Sequence, residues 1–285
     1  MGELARRIAV AVVGIPLVIG LVYLGELPLA LLLGLLGGLG AWELYRMARQ
    51  LGIEAMDVVG IAIAAAIPLY AALDRLGVLQ SPAAIAAVVF IALLGMSLWA
   101  RGVGGRPLES VAVTAFGAVY AGGMLTFGFL LRHHRFAVTA EAGTALVLFP
   151  IVLTWASDIG AYFVGRAIGK AKLMPAISPG KTRAGAVGAL VVTVLAALAY
   201  NTWVLRPMAQ LTLAPMIVVI FGLVVSVAAQ VGDLFESMLK REAGVKDSSH
   251  LLPGHGGILD RLDSIYFVLP IAYLVLNRLL VAAPR

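Results

Sequence analysis

The chain has 285 residues, 61% of them hydrophobic and 13% charged, with a formal net charge of +6 and no cysteine. A soluble domain carries about 25% charged residues, so the composition excludes an ordinary soluble protein and indicates an all-α, polytopic membrane protein. The absence of cysteine excludes disulfides, thiolate metal centres and cysteine nucleophiles, and the modest positive charge speaks to topology and anionic lipid rather than to nucleic acid.

In chain order, nine apolar stretches have the length that crosses a bilayer: roughly 8–24, 27–47, 55–73, 82–100, 109–131, 142–168, 184–204, 211–236 and 265–283. The first follows the basic start MGELARR and has no convincing cleavage site behind it, so it reads as an uncleaved span. The expected organisation is an N-terminal transmembrane region, 1–135, and a C-terminal catalytic region, 136–285. The longest connections, about 170–183 and 237–264, are both polar. With a cytoplasmic N-terminus and nine spans, 15 of the 21 Lys and Arg fall on the cytoplasmic side and 6 outside, as the positive-inside rule requires. Both polar connections then face the cytoplasm. No internal repeat is evident, so the inverted-repeat pattern of many transporters is missing.

Acids at membrane depth are costly and mark function by default. Asp158 lies in WASDIGAYFVGRAIGK, Asp233 and Glu236 in AAQVGDLFES, and Asp260 and Asp263 in LDRLDS. Asp233 with Glu236, and Asp260 with Asp263, stand at i, i+3 and share a helix face. Like charges so placed repel unless a cation intervenes, and hard oxygen donors favour Mg²⁺ or Mn²⁺. His250 and His255 read as hydrogen-bonding or phosphate-contacting groups rather than a metal pair. Lys170, Lys172, Lys181 and Arg183 occupy one polar connection; Lys240, Arg241, Lys246 and Arg261 occupy the other. Their plainest roles are topology and lipid headgroups. They are nonetheless interleaved with Gly, Ser and Thr in ISPGKT and LPGHGG, and glycine lets backbone N–H groups approach an anion. Carboxylates, Lys/Arg and glycine-rich turns together suit polyphosphate chemistry. SPGKT is not a phosphate-binding P-loop, because Pro175 stands where that motif needs glycine and a membrane span precedes it.

Ser237, Lys240, Arg241, Lys246, Asp247, Leu252, Pro253, His255, Gly256, Gly257, Asp260, Arg261 and Asp263 resemble the signature of the phosphatidate cytidylyltransferase (CDP-diacylglycerol synthase) family. A second family stretch is similar to Ser157 through Thr182. The resemblance is strong over 142–285 and weaker before it, where the chain matches in character, with Trp42-Glu43 near the end of one span. Ser249, Arg183 and Ala184 depart from the family pattern.

The resemblance implies an enzyme that joins CTP to phosphatidate and releases pyrophosphate. It implies a Mg²⁺ or Mn²⁺ requirement with room for a second cation, a multi-pass cell (inner) membrane location, and no nucleic-acid partner; a homodimer is left open. Asp233, Asp260, Asp263, Asp158 and Glu236 are the expected metal ligands. Asp233, Asp260, Asp263, Lys240, Arg241, His255 and Arg261 are expected to be catalytic. Lys170, Lys172, Ser178, Lys181, Thr182, Lys246, Asp247, Gly256 and Gly257 are expected to bind substrate. Competing readings are a CTP-dependent polyprenol or phytol kinase, an ion-coupled transporter using the membrane acids, and a channel or scaffold.

Overall fold

The computed structural model describes residues 3–251, 254 and 256–283, with side chains from residue 12 onward. The described chain is mostly helix. In order it forms α1 (Glu3–Leu24), α2 (Glu26–Gln50), α3 (Asp57–Arg75), α4 (Pro82–Ala100), α5 (Pro107–Gly117), α6 (Met124–Arg132), α7 (Ala140–Ile168), α8 (Arg183–Tyr200), α9 (Pro215–Glu242) and α10 (Leu259–Leu279). A π-helical turn, Ala118–Gly123, joins α5 to α6 in one continuous rod, and a second, Asn201–Ala209, extends α8.

Seven of these rods are long and apolar enough to cross a membrane among the described residues: α2, α3, α4, the α5–α6 rod, α7, α8 with its π extension, and α9. This is an all-α membrane protein. Two other helices coincide with expected spans. α1 contributes a shorter apolar stretch, Val12–Leu24, and α10 opens on Asp260, Arg261 and Asp263.

The chain divides into two compact units. The first comprises Met1–Leu17, Glu26–Phe129 and Leu239–Arg261; the second comprises Val18–Gly25, Leu130–Met238 and Leu262–Arg285. In the first unit, the Tyr45 hydroxyl donates to the Thr114 carbonyl at 2.7 Å. The Thr114 hydroxyl accepts from the Met56 amide at 2.8 Å and satisfies the start of α3. Met56, Leu93 and Val111 close a small core behind it. At the end of α4, Arg101 reaches Glu54, the Ala55 carbonyl and Ser110.

In the second unit, Phe149 stacks on Tyr200 with centroids 4.5 Å apart and meets Phe221 at 4.9 Å. The Tyr200 hydroxyl donates to the Ala145 carbonyl, and Ser157 pairs with Ser226 across α7 and α9. The connection after α7 is an antiparallel hairpin of β1 (Lys172–Met174) and β2 (Ser178–Thr182). Thr182 ends β2 and caps α8, its side chain accepting from the Gly185 amide. A second short ladder pairs β3 (Leu211–Thr212) with β4 (Val281–Ala282).

Candidate functional site

The polar residues of the second unit converge on a cavity of about 510 Å³ between α7, the hairpin, α8 and α9. Its wall includes Asp158 from α7, Lys172 from β1, Lys181 and Thr182 from β2, and Asp233 from α9. Both lysines of this short connection line the cavity, and the strands that carry them are held together by the pairing of Lys172 with Thr182. Lys181 Nζ sits 2.6 Å from an Asp233 carboxylate oxygen. Small side chains on α7 and α8 (Ala161, Gly165, Gly185, Ala186) leave the volume open.

Lys170, Ser178, Glu236 and Asp263 are not on that wall. Lys170 is exposed after α7, Ser178 is half-buried at the start of β2, and Glu236 is fully buried in α9. Asp263 is half-buried on α10. A close backbone approach brings the segments around Asp233 and Asp263 together: a Cβ on Gly232 would lie 2.7 Å from the Asp263 carbonyl oxygen and 3.0 Å from Phe267. Only glycine permits that spacing.

In the first unit, the loop 243–258 folds around two carboxylates. Asp260 accepts from Lys240 Nζ at 2.7 Å, from the Gly257 amide at 2.8 Å, and from the Ser248 amide and hydroxyl at 2.9 Å each. The second carboxylate is Glu43 on α2, and its side chain is fully buried. It accepts from the Ser249 hydroxyl at 2.6 Å, the Leu259 amide at 2.8 Å and the Ile258 amide at 2.9 Å, and it shares the one proton of the Ser248 hydroxyl, also 2.9 Å away, with Asp260. Leu259 begins α10 and Ile258 immediately precedes it, and helix-initiating amides have no partner within their own helix. Glu43 therefore caps α10 from another helix, with its charge where the helix dipole favours an anion. A Cβ on Gly257 would fall 2.0 Å from Ser248 Oγ and about 2.5 Å from the Glu43 carboxylate, so the glycine is a steric requirement of this arrangement.

Arg241, Lys246, Asp247, His250 and Arg261 are exposed around this loop; Arg241 also donates to the Val245 carbonyl at 3.3 Å. Gly256 lies within it. His255, with Leu252 and Pro253, falls outside the described residues. Among the described residues no three His, Asp or Glu form a group able to hold a metal ion by themselves. Both Asp233 and Asp260 instead carry a lysine ammonium.

Sequence reasoning placed no role on Glu43, Ser157 or Gln230. The signal for Glu43 was present: an acid inside an apolar helix. Its partners lie more than 200 residues away in the chain and are invisible without the fold.

Burial pushes the Asp260 carboxyl up, but the Lys240 ammonium and the Gly257 and Ser248 amides outweigh it and hold the group at about 2. A depressed folded value stabilises the protein above the ordinary carboxylate range near 3.9. That stability is lost as pH falls from about 4 through about 2. Carbon-13 NMR of Asp-labelled protein, assigned by loss of the signal in Asp260→Asn, should find Asp260 ionised at pH 4. A half-titration point between 4 and 5 would contradict the geometry.

A family model described as the cytidylyltransferase family matches residues 5–279. A phosphatidate cytidylyltransferase of Bacillus subtilis (strain 168) is 32% identical over 279 residues, 97% of this chain and 98% of its own length. One from Haemophilus influenzae is 44% identical over 146 residues, 49% of this chain and 48% of its own. One from Staphylococcus saprophyticus is 44% identical over 138 residues, 48% of this chain and 51% of its own.

Proposed function

The chain belongs to the cytidylyltransferase family, and from that membership we propose that it joins CTP to phosphatidate, giving CDP-diacylglycerol and pyrophosphate. The observation that carries the reading is the cavity of the second unit, where Lys172, Lys181 and Arg166 share a wall with Asp158 and Asp233. Such a wall suits a polyanion bearing a cation.

The phosphate oxygen of phosphatidate attacks the α-phosphorus of CTP, a P–O bond forms, and the bond to the β-phosphate breaks as pyrophosphate leaves. The attacking oxygen is already anionic near neutral pH, so no strong base is required of the protein. The barrier is electrostatic, since two anions must meet, and fixed positive charge and in-line positioning lower it. Lys181 and Lys240 are assigned to phosphate oxygens. Each is now balanced by a carboxylate that would be shared with a cation once substrate is present.

The donor set fits Mg²⁺. That ion keeps several waters and takes one or two carboxylates plus substrate phosphates, rather than a complete protein cage. In the second unit Asp233 is the carboxylate assigned to it, with Asp158, Asp263 and Glu236 as further oxygens; Asp260, in the first unit, is proposed separately as a cation ligand. When bound, Mg²⁺ neutralises phosphate charge and orients the leaving group.

The proposal includes nine spans and a cytoplasmic placement of the polar connections, supported by the division of Lys and Arg, 15 to 6. Single cysteines at Pro179 and Lys246, both exposed, should react with an impermeant maleimide only in inside-out vesicles. Labelling of either from intact cells would reverse the orientation.

The activity is tested by incubating purified protein with CTP, phosphatidate and Mg²⁺ in mixed micelles. Pyrophosphate and CDP-diacylglycerol are expected; release of CDP would identify a kinase instead. In the same assay Lys181→Gln should lower kcat/KM for CTP about 10- to 150-fold, the loss of one charge-assisted hydrogen bond. Wild-type kinetics in that variant would return Lys181 to a topological role.

A further inference from the structure

The cavity of the second unit is graded in chemistry. Arg166, Lys172 and Lys181 are its cations, from the last turn of α7 and from the hairpin. Ser157 and Gln230 lie further into α7 and α9, beside Asp158. Nine residues separate Ser157 from Arg166 on α7, roughly 13 Å of helix. Phosphates belong with the cations; Arg166 and Lys172 stand near the end of α7 and on β1, Lys181 reaches across to Asp233, and Gln230 and Ser157 are the uncharged polar groups of the wall.

Gln230 is held in one orientation. Its Nε2 donates to the Ala186 carbonyl and to Ser226 Oγ, both at 3.3 Å. A carbonyl can only accept, so the amide nitrogen must face α8 and Oε1 must turn away from it. Ser226 is tied in turn to Ser157 at 3.0 Å. Among the described residues nothing donates to Gln230 Oε1. The Thr182 and Tyr162 hydroxyls already accept, from the Gly185 amide and from Arg166, and keep a proton to donate; Gln230 Oε1 can only accept.

We propose that Gln230 Oε1 reads the nucleobase, accepting a hydrogen bond from the exocyclic amine at position 4 of cytosine. This rests on the proposed function, with CTP as the nucleotide. A fixed acceptor discriminates by chemistry. Cytosine carries an amine at that position, whereas uracil carries a carbonyl oxygen that would face Oε1 lone pair to lone pair. A phosphate is disfavoured at the same place, since the only donor of the side chain is already used. The cavity volume lies within the range of nucleotide-sized pockets.

The test is kcat/KM for CTP and UTP in wild type, Gln230→Met and Gln230→Glu, with phosphatidate saturating and Mg²⁺ varied. Met keeps the length and removes the acceptor; Glu keeps an acceptor. The wild type should prefer CTP. Gln230→Met should lower the CTP-to-UTP ratio roughly 5- to 150-fold, the range for one base-edge contact, with KM for phosphatidate unchanged. Gln230→Glu should retain the preference for CTP. A ratio that stays at the wild-type value in Gln230→Met overturns the inference. So does an altered Mg²⁺ requirement at constant ratio, which would place Oε1 on the cation, or a wild type that uses UTP equally. A wild type that makes no pyrophosphate from CTP and phosphatidate fails the proposed function itself, a separate outcome read in the control.

Discussion

The buried carboxylate of Glu43 is the constraint on which the first unit is organised. A charge removed from water costs several kcal/mol unless it is fully hydrogen-bonded. No cation lies against it among the described residues. Its compensation is three full donors, the Ser249 hydroxyl and the amides of Ile258 and Leu259, with the single Ser248 hydroxyl proton shared between it and Asp260. Hydrogen bonds to a charged acceptor contribute about 1.5–3 kcal/mol each, so the set offsets the desolvation only when all are made together. That requirement draws the polar connection down onto α2 and starts α10. It also aims Ser248 and Gly257 at Asp260, because Ser248 Oγ touches both carboxylates and the Gly257 amide donates to Asp260. The bulk of any side chain at position 257 would push these groups apart.

The same economy recurs around the other acids. Lys181 neutralises Asp233 in the second unit and Lys240 neutralises Asp260 in the first. The two pairs differ in exposure: 25% and 34% for Lys181 and Asp233, against 13% and 7% for Lys240 and Asp260. That exposure belongs to the side chains as a whole, since the Lys181 ammonium nitrogen is itself buried. Asp260 is held by backbone amides as well as by Lys240, and it retains its orientation if the lysine moves.

Much of this was legible in the sequence. Long apolar stretches identified the membrane helices, because a bilayer demands about 20 apolar residues in a row. Acids among them marked candidate positions, and the spaced Lys, Asp and Gly of 237–263 identified the family. What was hidden depends on long-range contact. Glu43 looked like one acid near a helix end, since nothing local reveals a cap for a helix more than 200 residues on. Gln230 looked like an ordinary polar residue until Ala186 fixed the direction of its amide. The connection after α7 read as a loop; its pairing of Lys172 with Thr182 is a tertiary fact, because SPGKT carries little intrinsic strand preference. The π-helical turns left no sequence signal, and the residues around them read as unbroken spans.

The direct test of Glu43 as organiser is amide hydrogen exchange at Ile258 and Leu259 in wild type and Glu43→Gln, with protein reconstituted in nanodiscs. Glutamine keeps the shape but presents an amide nitrogen to donors. Exchange at both amides should accelerate about 10- to 150-fold, matching a lost hydrogen bond to a charged acceptor. The Leu213 amide, held by Asn201 in the second unit, should be unaffected. Unchanged protection at Ile258 and Leu259 would show that the loop and the start of α10 stand without Glu43, and would contradict the account.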